Sequence, residues 1–236
     1  RDAQESRGLG DVYKRQGTEY KLGDFFRNLI AVILGIVITF VGSDMITEYN
    51  TKKEVEKALL LVKSELLINR EQIIEMGKQV ALEQRAARYL LKYKNKIKEA
   101  SQDSLKQYSH LPFQSYSISI VNDAMEMLKS SGLIQKINDK KLAIQIIKTY
   151  SGIKAAYEYF HSFNTIKKEL QDDFAAVPEI KRYFIESNVT DWDFLFKHLE
   201  AVALVNQIPQ IQNVEAYNQY IASIDETIDA IDKQYN

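Results

Sequence analysis

Apolar residues recur at Val55, Leu59, Val62, Leu66, Ile73, Met76, Val80, Ala87, Leu90 and Ile97, in steps of three and four broken at Asn69, Glu83 and Lys94. That period predicts one long amphipathic helix. Leu60, Leu61, Leu67, Ile68, Ile74, Leu82 and Leu91 widen the stripe beyond the two positions per seven of a coiled-coil seam. A stripe this wide predicts packing against several helices of the same chain, an antiparallel bundle rather than a parallel coiled-coil dimer.

Upstream, LIAVILGIVITFVG (residues 29–42) carries no charge. These residues reach about 21 Å as a helix, short of a roughly 30 Å hydrocarbon core, whereas residues 25–46 reach about 33 Å. Arg27 and Asp44 would then lie near the two interfaces. The run has no polar face, which separates it from a buried core helix, the first alternative for so short a segment. The second alternative is a cleaved signal peptide, with Val41-Gly42-Ser43 at the cleavage position; the helical pattern runs on past Ser43, which suits an anchor better. The chain therefore divides into an N-terminal flank at 17–24, a transmembrane helix at 25–46 and a soluble helical-bundle domain at 47–236. Residues 1–16, RDAQESRGLGDVYKRQ, show no period, resemble an adapter-derived translation and are expected to be non-native.

Beyond the long helix, SQDSLKQYSHLPFQSYS is polar, holds Pro112 and predicts a loop from about Ser101. A second helix starts near Ser117 or Ser119 and stops at Gly132, which suits a left-handed C-terminal position. QSYSISI alternates like a strand but is read as the start of that helix. A third helix has Asn138 as N-cap and Ile137 packed on Leu142. It buries Leu142, Ile146, Ile147, Tyr150, Ile153, Tyr157 and Phe160 before Pro178 ends it. A short helix occupies Pro178 to about Glu186. Thr190 or Asp191 caps another whose face is Trp192, Leu195, Leu199 and Val202. Beyond Pro209, Val214, Tyr217, Ile221, Ile224, Ile228, Ile231 and Tyr235 form the cleanest stripe of all. The expected fold class is all-α, an N-terminal transmembrane helix continuing into a long helix that packs in an antiparallel helical bundle.

Composition narrows the chemistry. Downstream of Gly42 there are only Gly77, Gly132 and Gly152 and Pro112, Pro178 and Pro209, too few turn-formers for a β-rich chain. The net charge is −1; removing residues 1–16 takes away four basic and three acidic residues and leaves −2. No basic stripe of the kind that neutralises phosphates exists, so nucleic acid is not an expected partner. Zero cysteines excludes disulfides, thiolate catalysis and Cys-based zinc sites.

His110, His161 and His198 stand on separate elements without a second ligand at HExxH-type spacing, although Glu200 is close to His198 in sequence. Asp225, Asp229 and Asp232 fall along one side of the last helix and could hold a divalent cation; such a row is more often the solvated face. Asp172-Asp173 and Asp191-x-Asp193 read as helix-end and capping residues. Tyr150, Tyr157, Tyr159, Phe160 and Phe163 follow the buried face of the third helix and read as core rather than as a ligand groove. No GxGxxG, GxxxxGK[ST] or GxSxG stretch occurs. No catalytic, cofactor-binding or metal residue is expected, nor a cofactor, and the chain does not read as an enzyme.

The segments LIAVILGIVITFVGSDMITEYNTKKEVEKALLLVKSELLINREQI and NDAMEMLKSSGLIQKINDKKLAIQIIKTYSGI resemble an uncharacterised bacterial family of single-pass membrane proteins. The shared pattern is an anchor running into a long helix, then Leu128, Gly132 and Leu133 leading into Ile137, Asp139, Leu142, Ile146 and Tyr150. Where that family has an NNW-like stretch after the anchor, this chain has Ser43-Asp44-Met45 and Thr47-Glu48-Tyr49. The resemblance implies inner-membrane residence with the helical domain in the periplasm. A count of Lys21 and Arg27 against Lys52, Lys53, Lys57 and Lys63 points the other way. The expected function is a membrane-anchored, non-enzymatic helical protein acting through protein contacts as scaffold or accessory subunit, with the lipid bilayer and a protein or a second copy as partners. The alternative is a sensory or ligand-binding module coupled to the juxtamembrane helix.

Overall fold

The computed structural model describes residues 22–187 and 190–235, and among these every regular element is helical. Residues 1–16 and most of the N-terminal flank lie outside the described residues. α1 spans Leu22–Lys92, followed by α2 (Gln102–Tyr108), α3 (Asp123–Ser130), α4 (Leu133–Lys136), α5 (Lys140–Ala176), α6 (Pro178–Glu186), α7 (Trp192–Leu195), α8 (Leu199–Ile211) and α9 (Ala216–Tyr235). The chain separates into two compact units, Arg1–Glu54 and Val55–Asn236.

In the first unit α1 carries one candidate membrane span, with no part of its most apolar window buried. Leu29, Ile30, Val32, Ile33, Ile36 and Phe40 are all exposed. Two threonine hydroxyls here bond inward: Thr39 Oγ1 donates to the Gly35 carbonyl at 2.7 Å and Thr47 Oγ1 to that of Ser43 at 2.9 Å. A hydroxyl satisfied on its own helix is the arrangement an apolar environment tolerates.

The second unit is built on α1, α5 and α9. Lys63 meets Asp232 and Arg70 meets Asp225, so α9 runs antiparallel to α1. Glu65 meets Tyr150 and Glu83 meets Lys167, so α5 runs parallel to α1. The core lies between them, with Leu59, Val62, Leu66, Ile73 and Val80 of α1 against Ile146, Ile153 and Phe160 of α5 and Tyr217, Ile224 and Ile231 of α9. Gly132, at φ 71°, turns the chain from α3 into α4, the left-handed conformation its lack of a Cβ permits. At Gly77 a Cβ would meet Tyr217 at 3.4–3.6 Å, ordinary contact distance. Gly77→Ala is therefore expected to raise stability by about 0.5–1 kcal/mol through helix propensity. Gly77→Leu overfills the same contact and costs about 2 kcal/mol. Chemical denaturation of the two variants in detergent distinguishes the signs.

Several sequence-based expectations shift. The long helix ends at Lys92 rather than near Ser101, and the expected loop contains α2, capped by the Ser101 hydroxyl, while the Tyr89 hydroxyl accepts from Ser101 N–H at 2.9 Å. Residues 117–122 are neither helix nor strand; α3 starts at Asp123, because side chains of α1 hold the segment extended. Asp139, not Asn138, caps α5, accepting from Lys141 and Leu142 N–H. Ile147 lies on the exposed side of α5, while the other core positions expected there are buried or packed against the core. Trp192 and Leu195 form the short α7, but Leu199 starts α8 fully at the surface, and α8 packs instead through Ala201, Leu204, Val205 and Ile208. Pro209 falls inside α8, and the break comes at Gln212.

Leu60, Leu61, Leu67 and Ile68 are 45–51% exposed rather than packed on further helices. α3, α5 and α9 reach α1 through Val62, Lys63, Glu65, Asn69 and Arg70, and that covers only the other side of the helix.

Candidate functional site

The ionisable groups deepest in the bundle are Glu83 and Lys167, both fully buried. Lys167 Nζ donates to both Glu83 carboxylate oxygens at 2.7 and 2.8 Å and to the Gln114 carbonyl. The Phe163 and Tyr116 ring centroids lie 5.2 and 5.6 Å from the ammonium. Burial pushes the Glu83 carboxyl up and the Lys167 ammonium down, and each is opposed by the charge of the other. With donors and acceptors all engaged by protein, the pair ties α1, α5 and the 114–116 segment together rather than facing a substrate.

Five turns earlier on α1, Glu65 accepts from the Tyr150 hydroxyl at 2.5 Å and from Ala124 N–H at 2.8 Å, so a residue of α1 caps the N-terminus of α3. Burial first, then the Glu65 carboxylate, raise the Tyr150 phenol well above its ordinary value, which keeps it a donor. Fully buried Asn69 donates to the Val121 carbonyl at 2.7 Å and accepts from Val121 N–H at 2.8 Å, as a neighbouring strand would. At the α8–α9 break, Gln84 donates to the Gln212 carbonyl at 2.7 Å. The Gln212 side chain bonds the Tyr159 carbonyl and accepts from the Tyr217 hydroxyl at 2.9 Å.

The candidates weighed from sequence sit apart from one another. His161 stacks on Tyr157 and His198 packs edge-on to Phe194. His110 borders a cleft below α2. Asp225 and Asp232 are not merely solvated, since they pair with Arg70 and Lys63 of α1 at 2.7 and 2.6 Å, while Asp229 is exposed. Among the described residues no group of three or more His, Cys, Asp or Glu side chains is placed to hold a metal ion. Asp191 caps α7, as its position suggests. Tyr150, Phe160 and Phe163 are buried in the core, with Tyr157 and Tyr159 packed at its edge.

Sequence reasoning passed over Asn69, Glu83 and Lys167. The first two appeared only as breaks in the stripe of α1, yet a polar residue in phase with a core stripe is the signal for a buried partner. Lys167 likewise continues the phase of Phe160 and Phe163.

Two clefts adjoin these elements. One, of about 530 Å³, lies between α3 and α5 and is lined by Met125, Lys129, Ile147, Tyr150 and Lys154. The other, of about 650 Å³, lies between α2 and the start of α7, lined by Lys98, Leu105, Lys106 and His110 and by Asp191, Trp192 and Asp193. Comparison of the chain with family models, curated proteins and solved structures finds no match in any of the three.

Proposed function

We propose that this is a membrane-anchored, non-enzymatic helical protein that works through protein contacts, as a scaffold or accessory subunit. The observation that carries the reading is that α1 is apolar on two sides: Leu59, Val62 and Leu66 close the core, while Leu60, Leu61, Leu67 and Ile68 remain exposed around Ser64. Apolar side chains at i, i+1, i+7 and i+8 with a small residue at the centre form a helix-sized strip, the pattern by which one amphipathic helix receives another. Lys57 and Glu71 flank the strip with charges that suit a protein partner better than lipid tails. In support of the non-catalytic part, Glu65, Glu83 and Lys167 are spent on internal hydrogen bonds.

The anchor in this reading is residues 25–46, with Tyr49, Lys52 and Lys53 at the membrane surface. Following the family resemblance, residence is the bacterial inner membrane with the bundle in the periplasm; a C-terminal reporter active only in the cytoplasm stays dark if that is correct.

Because the chain has no cysteine, single thiols can be placed at will. Leu61→Cys and Ile68→Cys in native membranes are expected to give one discrete cross-linked adduct with a bifunctional thiol–amine reagent. Lys154→Cys, on an exposed part of α5, gives none. Adducts equal at all three positions, or absent from all, would sink the proposal.

A further inference from the structure

We propose that the cleft between α2 and α7 binds a small zwitterion, an amino acid with an apolar side chain. This is independent of the α1 strip, since it stands on different elements. The cleft is lined by charges of both signs from different elements: Lys98 and Lys106 from the 97–99 turn and α2, Asp191 and Asp193 from the start of α7. A molecule carrying one ammonium and one carboxylate matches both signs at once. A simple anion or amine matches one and meets repulsion from the other.

Of these charges Lys98 and Asp193 are already paired, 3.6 Å apart with side chains 86% and 49% exposed. So long and exposed a pair is weak, and ligand charges can replace either partner at little cost. Half-buried Leu105 supplies the apolar surface for a side chain, backed by the almost fully buried Ile97 and Trp192. A volume of about 650 Å³ falls within the range of small-molecule sites.

A second observation points to a ligand. Trp192 is 2% exposed and its indole N–H has no hydrogen-bond partner, although the ring is well packed on Phe113 and Phe196, at 5.6 and 4.9 Å between centroids. A buried donor without an acceptor is destabilising, and a ligand carboxylate is an acceptor that relieves it. Because the nitrogen is covered, the carboxylate reaches it only when neighbouring side chains move, so binding alters the surroundings of the indole.

Trp192 is the only tryptophan of the chain, so tryptophan emission of the full-length protein in detergent micelles, excited selectively over the tyrosines, reports on this cleft alone. Titration with L-leucine is expected to shift the emission saturably, and glycine to bind about tenfold more weakly for want of apolar contact. Acetate and n-butylamine, each carrying half of the zwitterion, give no saturable change at the same concentrations. Asp193→Asn and Lys106→Met should each weaken leucine binding about tenfold while leaving the thermal midpoint of the free protein in place, because both side chains are at the surface. Asp191 is left intact because it caps α7. The proposal is overturned if none of the twenty amino acids changes either the emission or the thermal midpoint at 10 mM, on the order of ten-thousandfold weaker than a micromolar site. It is equally overturned if acetate or n-butylamine binds as well as leucine, or if leucine binds undiminished to both variants.

Discussion

Lys167→Met is expected to destabilise the bundle by about 3–5 kcal/mol, because it strands the Glu83 carboxylate in the core without a counter-charge. The side chains are of similar length, so the loss reflects charge rather than volume. Burial already raises the Glu83 carboxyl in the intact pair, and removing the ammonium that opposes burial raises it further. The sign of the pH dependence follows. A carboxyl whose folded-state pKa exceeds its unfolded value binds more protons when folded, so its contribution is complete below the unfolded value and is lost as pH rises through the folded one. The variant should therefore lie closest to wild type near pH 4 and fall behind as pH rises, roughly from the ordinary carboxylate value upward. Replacing both partners, Glu83→Met with Lys167→Met, removes the stranded charge and should recover most of the loss, leaving the cost of the Gln114 carbonyl that Lys167 no longer satisfies. Denaturant midpoints of the full chain across pH, for both variants, provide the measurement. A single variant as stable as the double at neutral pH would show that Glu83 finds another cation or water.

Asn69→Leu should cost about 3 kcal/mol, as the two backbone groups of Val121 lose their partner inside the bundle. Leucine is nearly isosteric and suits the stripe of α1 by pattern, so a reading from periodicity alone expects a gain. The structure expects the reverse, since Asn69 substitutes for a strand neighbour along a segment without regular hydrogen bonding. Asn69→Asp separates the two bonds: it keeps the acceptor for Val121 N–H and loses the donor to Val121 C=O, placing two oxygens together. Amide exchange at Val121 is the specific readout. It should quicken in Asn69→Leu far more than exchange at Ile224 of α9, whereas equal acceleration at both would mean global loosening.

The register of α1, the Pro178 start of α6, the left-handed turn at Gly132, a cap at Thr190 or Asp191 and the stripe of α9 were all legible in the amino-acid sequence. Each rests on an interaction within a few residues: helical period, a ring-locked φ, a missing Cβ or a side chain reaching its own helix end. The apolar character of residues 29–42 is legible for the same reason. What the tertiary structure decided lies where a polar residue is answered from far along the chain. Asn69 holds the segment around Val121 extended and Glu65 caps α3, overriding a local pattern that read as an earlier helix. Glu83 finds Lys167 across 84 positions, turning what looked like an interruption of the stripe into its most deeply buried contact. Asp225 and Asp232 become partners of α1 instead of a free acidic row. That Leu60, Leu61, Leu67 and Ile68, which widen the stripe of α1, stay exposed was also settled only in three dimensions, because the packing of α3, α5 and α9 covers one side of the helix. Local period specifies that a helix forms, whereas the partner of a buried charge and the exposed side of a helix depend on geometry that no short window of sequence contains.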